Sequence, residues 1–289
     1  MQKIDFFIAG VQKSATTSLY DILSTDKRIY MPAVKENPYF TNSNIKEDFF
    51  VNLYSNYKSE ELVGGAYANA IFFKDAAKKL FDNNRKIKII IILRNPIDRA
   101  YSAYNYLYNL GIEKAKSFEL AIENESQNIF SSYVDIANKT YLQHGYYYRQ
   151  IINYLKIIPL KQLHFIFFDD FINNQNKVVK DLYEFLDLNY LDDYEYKKSN
   201  SSFSIKNKLL HHILYNKNIL KSIYHKIFPK KIRFYLNHTL IKKIEHLNRY
   251  NNNYASMNPK TRKKLQTYYL SENKNLQNFL KKDLKHWMK

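Results

Sequence analysis

The chain has 289 residues, of which 45% are hydrophobic and none is cysteine, and its formal net charge is +18. This length suffices for a substantial buried core, and the lack of cysteine excludes disulfides, thiolate catalysis and cysteine zinc sites, as fits a reducing compartment. The first predicted strand starts near residue 1 and no run of about 18 apolar residues occurs, so we expect neither a signal peptide nor a membrane span and assign the chain to the cytoplasm.

The first predicted element is a buried strand, Phe6–Ala9, that leads into a loop suited to bind phosphate. Gly10 follows the strand, Lys13 comes three residues later, and a run of hydroxyl residues then opens an amphipathic helix that carries Leu19. Backbone N–H groups at a helix N-terminus attract anions, and the lysine adds a positive charge. The residues predicted to form this phosphate site are Gln12, Lys13, Ser14, Ala15, Thr16, Thr17 and Ser18.

Two other interpretations of this loop are open. The segment is also compatible with an ordinary capped helix and an exposed lysine. A loop for magnesium–triphosphate has the pattern G-x-x-x-x-G-K-[ST]. Here no second glycine precedes Lys13. The spacing therefore favours a phosphate group other than a nucleoside triphosphate.

The second predicted strand, Lys86–Leu93, ends next to a cluster of polar residues. Its β-branched run is typical of a central parallel strand, and ligands of open α/β sheets bind at the carboxyl ends of such strands. Arg94 lies at that end, and Arg99 and Ser102 are three residues apart on the helix that Asn95 and Pro96 begin. We predict that these three side chains bind a second phosphate; a structural ion pair of arginine with Asp98 is the alternative.

The remaining pattern predicts one α/β domain over residues 1–289. Residues 114–157 are predicted to be mostly helical and Leu163–Phe168 to form a strand. Asp169-Asp170 and then a helix through Val178, Leu182 and Leu186 follow it. This alternation predicts a parallel sheet flanked by helices in an α/β core, residues 1–198. We predict no strand after residue 200, where residues 199–289 form a basic helical part interrupted at Pro229 and Pro259.

Residues 201–250 hold eleven Lys and Arg against one acid, Glu245. An anionic partner, such as an acidic glycan or a membrane surface, would explain this charge. The lysine-rich composition of the whole chain explains it equally well, as a solvated face. The role of the segment therefore stays open.

The two phosphate motifs resemble those of sulfotransferases that use 3′-phosphoadenosine-5′-phosphosulfate (PAPS), in particular the heparan-sulfate-type and bacterial enzymes. Gly10–Leu19 resembles the 5′-phosphosulfate loop of that family, and Arg94–Ser102 resembles its 3′-phosphate motif R-x-P-x-x-R-x-x-S. Tyr141–Leu188 and the ending from Asn258 to Trp287 are similar to later family segments. The resemblance implies a P-loop-like three-layer fold, PAPS as cosubstrate and no metal.

The resemblance also implies roles for individual residues. Lys13 would bind the phosphosulfate and stabilise the charge that develops on the bridging oxygen. The loop residues 14–18 would hold the 5′-phosphate, and Arg94 and Ser102 the 3′-phosphate. In the segment Lys35–Phe40, which is similar to the family motif E-x-x-F-F, Glu36 would be the catalytic base. Since related enzymes use a histidine there, His144 is a second candidate; for Glu36 the alternative is a surface carboxylate paired with Lys35.

Two segments depart from the family pattern. Ala15 stands where a glycine is common, and alanine suits the loop if the backbone there keeps a negative φ. In Val63–Ala68 the relatives usually carry an acid and a Ser/Thr-Pro pair, which this chain lacks. The acceptor contacts of this segment are therefore not implied by the resemblance.

The sequence thus predicts transfer of a sulfuryl group from PAPS to a hydroxyl or amine, on a carbohydrate or glycan acceptor. The alternatives are a kinase-like P-loop phosphotransferase and a non-catalytic basic protein that binds glycan, nucleic acid or membrane. The chain has no recognisable nucleic-acid-binding motif, and we expect at most peripheral contact with a membrane surface.

Overall fold

The computed structural model describes residues 1–127, 130–190 and 255–289, and of residues 203–205 and 249–251 the backbone alone. The helices predicted for 206–249, with the break at Pro229, and the basic segment 201–250 lie mostly outside the described residues. The division at residue 198 therefore stays a prediction.

The centre of the molecule is a five-stranded parallel sheet with the strand order β2-β3-β1-β4-β5. The strands are β1 (Phe6–Gly10), β2 (Ile29–Tyr30), β3 (Leu62–Ala66), β4 (Lys88–Leu93) and β5 (Leu163–Phe167). β1 pairs in parallel with β3 on one side and with β4 on the other. The predicted α/β fold with a parallel sheet is confirmed, and β1 lies in its middle.

Ten described α-helices surround the sheet or extend from it. The first five are α1 (Thr16–Thr25), α2 (Glu47–Leu53), α3 (Lys74–Asn83), α4 (Pro96–Asn109) and α5 (Phe118–Ser126). The others are α6 (Tyr133–Lys139), α7 (Tyr147–Leu155), α8 (Phe168–Asn173), α9 (Gln175–Phe185) and α10 (Pro259–Leu280). Short 3-10 turns span Pro38–Phe40, Ala70–Phe72, Gln143–Gly145, Leu160–Gln162 and Lys285–Trp287.

The buried strand β4 shows why the sheet is covered on both faces. All residues from Ile89 to Leu93 are fully buried. Because side chains alternate along a strand, Ile89 and Ile91 pack on one face with α3 and α7, whereas Ile90 and Ile92 pack on the other with α1 and α9. A third apolar cluster joins α4 and α5 to α10.

Several predicted elements are confirmed at their predicted places. Asn95 caps α4 by accepting a hydrogen bond from the Ile97 backbone N–H at 3.0 Å, with Pro96 as the first helical residue. Asn258 caps α10 in the same manner. Trp287, near the end of the chain, is buried against Tyr147 and Phe167.

Other elements differ from the prediction. The prediction of no strand after residue 200 is wrong: β6 (Phe203–Ile205) and β7 (Arg249–Asn251) form an antiparallel pair. Each has only three residues, too few for a periodic pattern to be recognised. The helix predicted through Val178, Leu182 and Leu186 is confirmed as α9, but α8, which begins at Phe168 where the strand was expected to end, was not predicted.

Candidate active site

The predicted phosphate loop lies at the carboxyl edge of the sheet, where four segments meet. Since β1, β3 and β4 run parallel, the residues that follow them leave from the same edge. The segment at Glu36 joins them through a bridge to Ala66, the last residue of β3. The loop after β1, the turn after β3, the start of α4 and the Glu36 segment are therefore neighbours.

Arg94 links the two predicted phosphate segments. Its Nη1 donates a hydrogen bond to the Lys13 carbonyl oxygen at 2.8 Å, and its guanidinium lies 4.6 Å from the ring centroid of Phe168. The Tyr147 hydroxyl in turn donates to the Arg94 carbonyl at 2.9 Å. Burial lowers the pKa of Arg94, which still leaves a guanidinium charged at neutral pH. Arg94 thus places a positive charge beside the loop.

The loop itself contains a buried polar atom that suits an anion. Ser14 is fully buried, and its Oγ has no hydrogen-bond partner among the described residues. A buried hydroxyl without a partner is energetically unfavourable, so a phosphate oxygen at this position would satisfy it. Lys13 Nζ lies 4.1 Å from the ring centroid of Tyr106 on α4, and Thr16 starts α1 directly after the loop. This donor set fits the 5′-phosphate of the expected cosubstrate.

The remaining loop residues differ in exposure. Thr16 and Ser18 are buried, Thr17 is exposed, and Gln12 is half-buried. Ala15 adopts a φ of 64°, in the left-handed region, as does Lys13 at 67°. The condition of a negative φ at Ala15 is therefore not met, because the turn into α1 requires the conformation that glycine adopts without strain.

Arg99 and Ser102 occupy different environments on α4. Arg99 is fully buried, and its Nη2 donates to the Tyr141 carbonyl oxygen; its Nε and Nη1 have no partner among the residues described. Ser102 is half-buried. Asp98, the alternative partner for an arginine of this motif, pairs instead with Arg262 of α10 at 2.5 Å. Phosphate binding by Arg99 and Ser102 stays a prediction.

Glu36 contacts both the loop region and the end of β3. Its Oε2 accepts a hydrogen bond from the Ala68 backbone N–H at 3.1 Å, and its Oε1 pairs with Lys35 Nζ at 2.6 Å. Lys35 also donates to Thr16 Oγ1 at 3.2 Å, so it connects Glu36 to α1. The Glu36 side chain is 49% exposed. A carboxylate that is anchored but still reachable can accept a proton from a bound acceptor.

His144 is held inside the molecule. It is 3% exposed, its ring stacks on Phe72 with centroids 4.0 Å apart, and its Nε2 has no partner in the described part of the chain. Burial lowers the pKa of His144 well below its usual value, and the charge of Arg99 lowers it further. The imidazole is therefore neutral at pH 7. Its role as a base stays a prediction.

Two aromatic residues that shape the site were not predicted from the sequence, and neither was the second contact of Lys35. Tyr106 lies under the Lys13 ammonium and Phe168 lies under Arg94, whereas Lys35, expected to pair with Glu36, also donates to Thr16. Tyr106 is one helical turn beyond Ser102, so the helical spacing contained a signal for it. Phe168 is far from Arg94 in the sequence, so no sequence pattern indicated that the two residues would be in contact.

Two features, a metal-binding group and a membrane-spanning helix, do not occur in the described residues. No group of three His, Asp or Glu side chains there has an arrangement that could hold a metal ion. In the same part of the chain, no helix is both long and apolar enough to cross a membrane.

The fold and the site together define an α/β protein with a predicted phosphate loop after its first strand and an arginine at the end of the neighbouring strand. The family model of the sulfotransferase domain matches residues 3–267. The chain therefore belongs to the sulfotransferase domain family.

Two known proteins are similar to this chain. A sulfotransferase from Alicyclobacillus acidocaldarius is similar over the full length of both chains, with a TM-score of 0.73 and 23% identity. That likeness shows the shared fold. The membrane-associated sulfotransferase kil1 of Dictyostelium discoideum is 21% identical, in an alignment that covers 68% of this chain and 58% of that protein. The chain thus spans little more than half the length of this relative.

Proposed function

We propose that the protein transfers a sulfuryl group from PAPS to a hydroxyl or amine of a carbohydrate or glycan. The observation that carries this proposal is the hydrogen bond from Arg94 Nη1 to the Lys13 carbonyl at 2.8 Å. It brings a loop suited to a 5′-phosphate beside an arginine suited to a 3′-phosphate. A nucleotide with phosphates on both positions matches this pair, whereas a triphosphate loop of the usual spacing is absent from the sequence.

In this proposal the acceptor oxygen or nitrogen attacks sulfur and the bond from sulfur to the bridging phosphate oxygen breaks. The proton of the acceptor goes to Glu36, and the products are the sulfated acceptor and adenosine 3′,5′-bisphosphate (PAP). Lys13 stabilises the negative charge that grows on the bridging oxygen, and Ser14 donates to a 5′-phosphate oxygen. Arg94 and Ser102 hold the 3′-phosphate, with Arg99 supporting that end of α4.

Glu36 is the proposed base because its carboxylate is anchored at the sheet edge and partly exposed. His144 is the second candidate. Its neutral ring could accept a proton, but its burial behind Phe72 favours Glu36.

We also propose a cytoplasmic location with peripheral contact to an anionic membrane surface. The net charge of +18 supports attraction to such a surface. The name of the Dictyostelium relative, a membrane-associated sulfotransferase, is consistent with it.

Calorimetry with PAP, followed by a sulfate-transfer screen over glycans with PAPS as donor, tests the function. We expect PAP to bind without magnesium and Lys13→Ala to lower kcat/KM about 10²–10³-fold. Lys27→Ala, at an exposed lysine just beyond α1, is the control and should keep wild-type kinetics. Tight binding of ATP–Mg²⁺ with no affinity for PAP would instead support the phosphotransferase. Wild-type turnover in Lys13→Ala would contradict the loop assignment.

A further inference from the structure

Next to Glu36, three side chains form a hydrogen-bonded hydroxyl chain, Thr41–Tyr133–Tyr67. Thr41 Oγ1 and Tyr133 Oη are 2.5 Å apart, and Tyr133 Oη donates to Tyr67 Oη at 3.0 Å. The Tyr133 ring is held by stacking on Phe73, with ring centroids 5.0 Å apart. The hydroxyl chain therefore connects three separate elements: the turn after Phe40, the end of β3 and α6.

The hydroxyl chain ends at the proposed catalytic base. Tyr67 directly precedes Ala68, whose backbone N–H binds the Glu36 carboxylate at 3.1 Å. Burial raises the pKa of Tyr67, and the negative charge of Glu36 raises it further. The Tyr67 hydroxyl is therefore protonated at neutral pH and lies within the electrostatic reach of Glu36.

Asn69 supplies a second polar group at the same place. Its side chain interacts with the Tyr67 hydroxyl, it is 5% exposed, and its Oδ1 has no hydrogen-bond partner among the described residues. Buried amide oxygens nearly always accept a hydrogen bond, so this atom is suited to a ligand. Because Tyr133 is the donor in its hydrogen bond with Tyr67, the Tyr67 hydroxyl can itself donate a hydrogen bond to a further acceptor.

We propose that Tyr67 and Asn69 bind a second hydroxyl of a polyhydroxyl acceptor, next to the hydroxyl that Glu36 deprotonates. Tyr67 Oη donates a hydrogen bond to the oxygen of that hydroxyl, and Asn69 Oδ1 accepts a hydrogen bond from the same hydroxyl. One acceptor hydroxyl thus satisfies both side chains. Tyr133 and Thr41 are positioning residues that fix Tyr67. This inference rests on the proposed function. It assigns an acceptor contact to Tyr67 in the segment 63–68, for which the family resemblance implied none.

The proposed contacts of Tyr67 and Asn69 predict a preference for acceptors that carry more than one hydroxyl. An acceptor with a single hydroxyl leaves the buried Asn69 oxygen without a partner, and sites built to bind a hydroxyl discriminate strongly against ligands that lack it. We expect wild-type kcat/KM for methyl glucoside to exceed that for cyclohexanol at least about tenfold. Without the Tyr67 hydroxyl, this preference should largely disappear.

The test compares sulfate transfer from PAPS to methyl glucoside and to cyclohexanol, measured by mass spectrometry of the products. In Tyr67→Phe and in Asn69→Ala we expect KM for methyl glucoside to rise about tenfold, so that the preference over cyclohexanol largely disappears, while the Kd for PAP stays unchanged. Thr41→Val should show a weaker form of the same change. Tyr39→Phe is the matched control, since Tyr39 lies nearby against Phe40 and Phe50.

Each outcome is decisive. A preference that persists in both Tyr67→Phe and Asn69→Ala overturns the assignment, as does a wild-type enzyme that does not prefer methyl glucoside. Transfer to neither compound, with PAP still bound, overturns the polyhydroxyl acceptor and leaves the donor site intact. Failure of the wild-type protein to bind PAP overturns the proposed function itself.

Discussion

Ala15 ends the predicted phosphate loop in a backbone conformation that favours glycine. Its φ is 64°, and the next residue starts α1. For an L-residue with a Cβ this region is unfavourable by about 1–2 kcal/mol. The family resemblance singled out this position from the sequence, but the sign of φ depends on how the loop packs between β1 and α1.

Replacing Ala15 by glycine should stabilise the protein. We expect Ala15→Gly to raise the free energy of unfolding by about 1 kcal/mol, since the relief of strain exceeds the greater entropy of glycine in the unfolded chain. Urea denaturation measures the change. Ala33→Gly is the control: Ala33 is exposed and has no positive φ, so the same substitution should not stabilise there. An equal change in the free energy of unfolding in both variants would contradict the strain at Ala15.

Glu36 differs from the loop residues because its proposed role is limited to the chemical step. We expect Glu36→Gln to lower kcat about 10²–10⁴-fold, the usual contribution of a general base, while the Kd for PAP stays within about twofold. Glutamine keeps an oxygen that can accept from the Ala68 N–H. Parallel kinetics and calorimetry separate the two effects. A matching loss of PAP affinity would show that Glu36 supports the loop through Lys35 and Thr16 instead.

At the scale of elements, the prediction succeeded where a pattern is local. β1, β4 and β5 are mostly apolar runs, and the loop residues 12–18 are consecutive, so the strands and the loop could be identified from the sequence. The contact of Glu36 with Ala68 and that of Tyr67 with Tyr133 join positions 32 and 66 residues apart. Single-sequence patterns contain no signal for such pairings, which depend on strand order.

β3 was not predicted because its centre is Gly64-Gly65, a pair that ordinarily weakens a strand. The structure explains the glycines by packing. A Cβ on Gly64 would lie 2.2 Å from Met31 Sδ and 2.4 Å from Phe6 Cζ, and one on Gly65 would lie 2.8 Å from Phe7 Cδ2. The two phenylalanines of β1 occupy the space that side chains of β3 would need.

We therefore expect Gly64→Ala to destabilise the protein by about 1–3 kcal/mol, as overpacking of a rigid core does. Gly111→Ala provides the comparison, because a Cβ there meets nothing within 4 Å and only the φ of 67° opposes it, which is worth about 1 kcal/mol. Thermal denaturation shows which of the two variants is less stable. If Gly111→Ala were the less stable variant, the packing explanation for β3 would be wrong.

At the scale of the whole molecule, strand order places the site. The connection from β1 through α1 packs on one face of the sheet, whereas the connection from β3 through α3 to β4 packs on the opposite face. The loop after β1 therefore opens at the point where the chain changes direction across the sheet, which is where open α/β sheets bind ligands. The sequence predicted the parallel sheet but not this order, because β2 and β3 were not recognised.

The interior beside this site contains ionisable groups that link α4, α5 and the turn at Gln143–Gly145. Glu125 accepts from the backbone N–H groups of Leu142 and Gln143 at 2.7 and 2.8 Å, and burial raises its pKa to about 7. Its contribution to stability is therefore present below its unfolded pKa and is lost as the pH rises through 7. His144 changes stability with pH in the opposite direction, since its pKa is lowered in the folded state.

His144 should make global stability fall in acid. Below its unfolded pKa of about 6.5 the unfolded chain binds a proton that the folded protein excludes, so the His144 contribution is lost as the pH falls, by at most about 1.4 kcal/mol per pH unit. We expect His144→Gln to remove this loss, so that between pH 7 and 5 the variant gains stability relative to wild type, whatever their difference at pH 7. Urea denaturation at several pH values measures that difference, and Glu125, present in both proteins, cancels from it. A difference that does not change with pH would mean that the folded protein admits a proton at His144, and the ring would then be accessible enough to act as the base in place of Glu36.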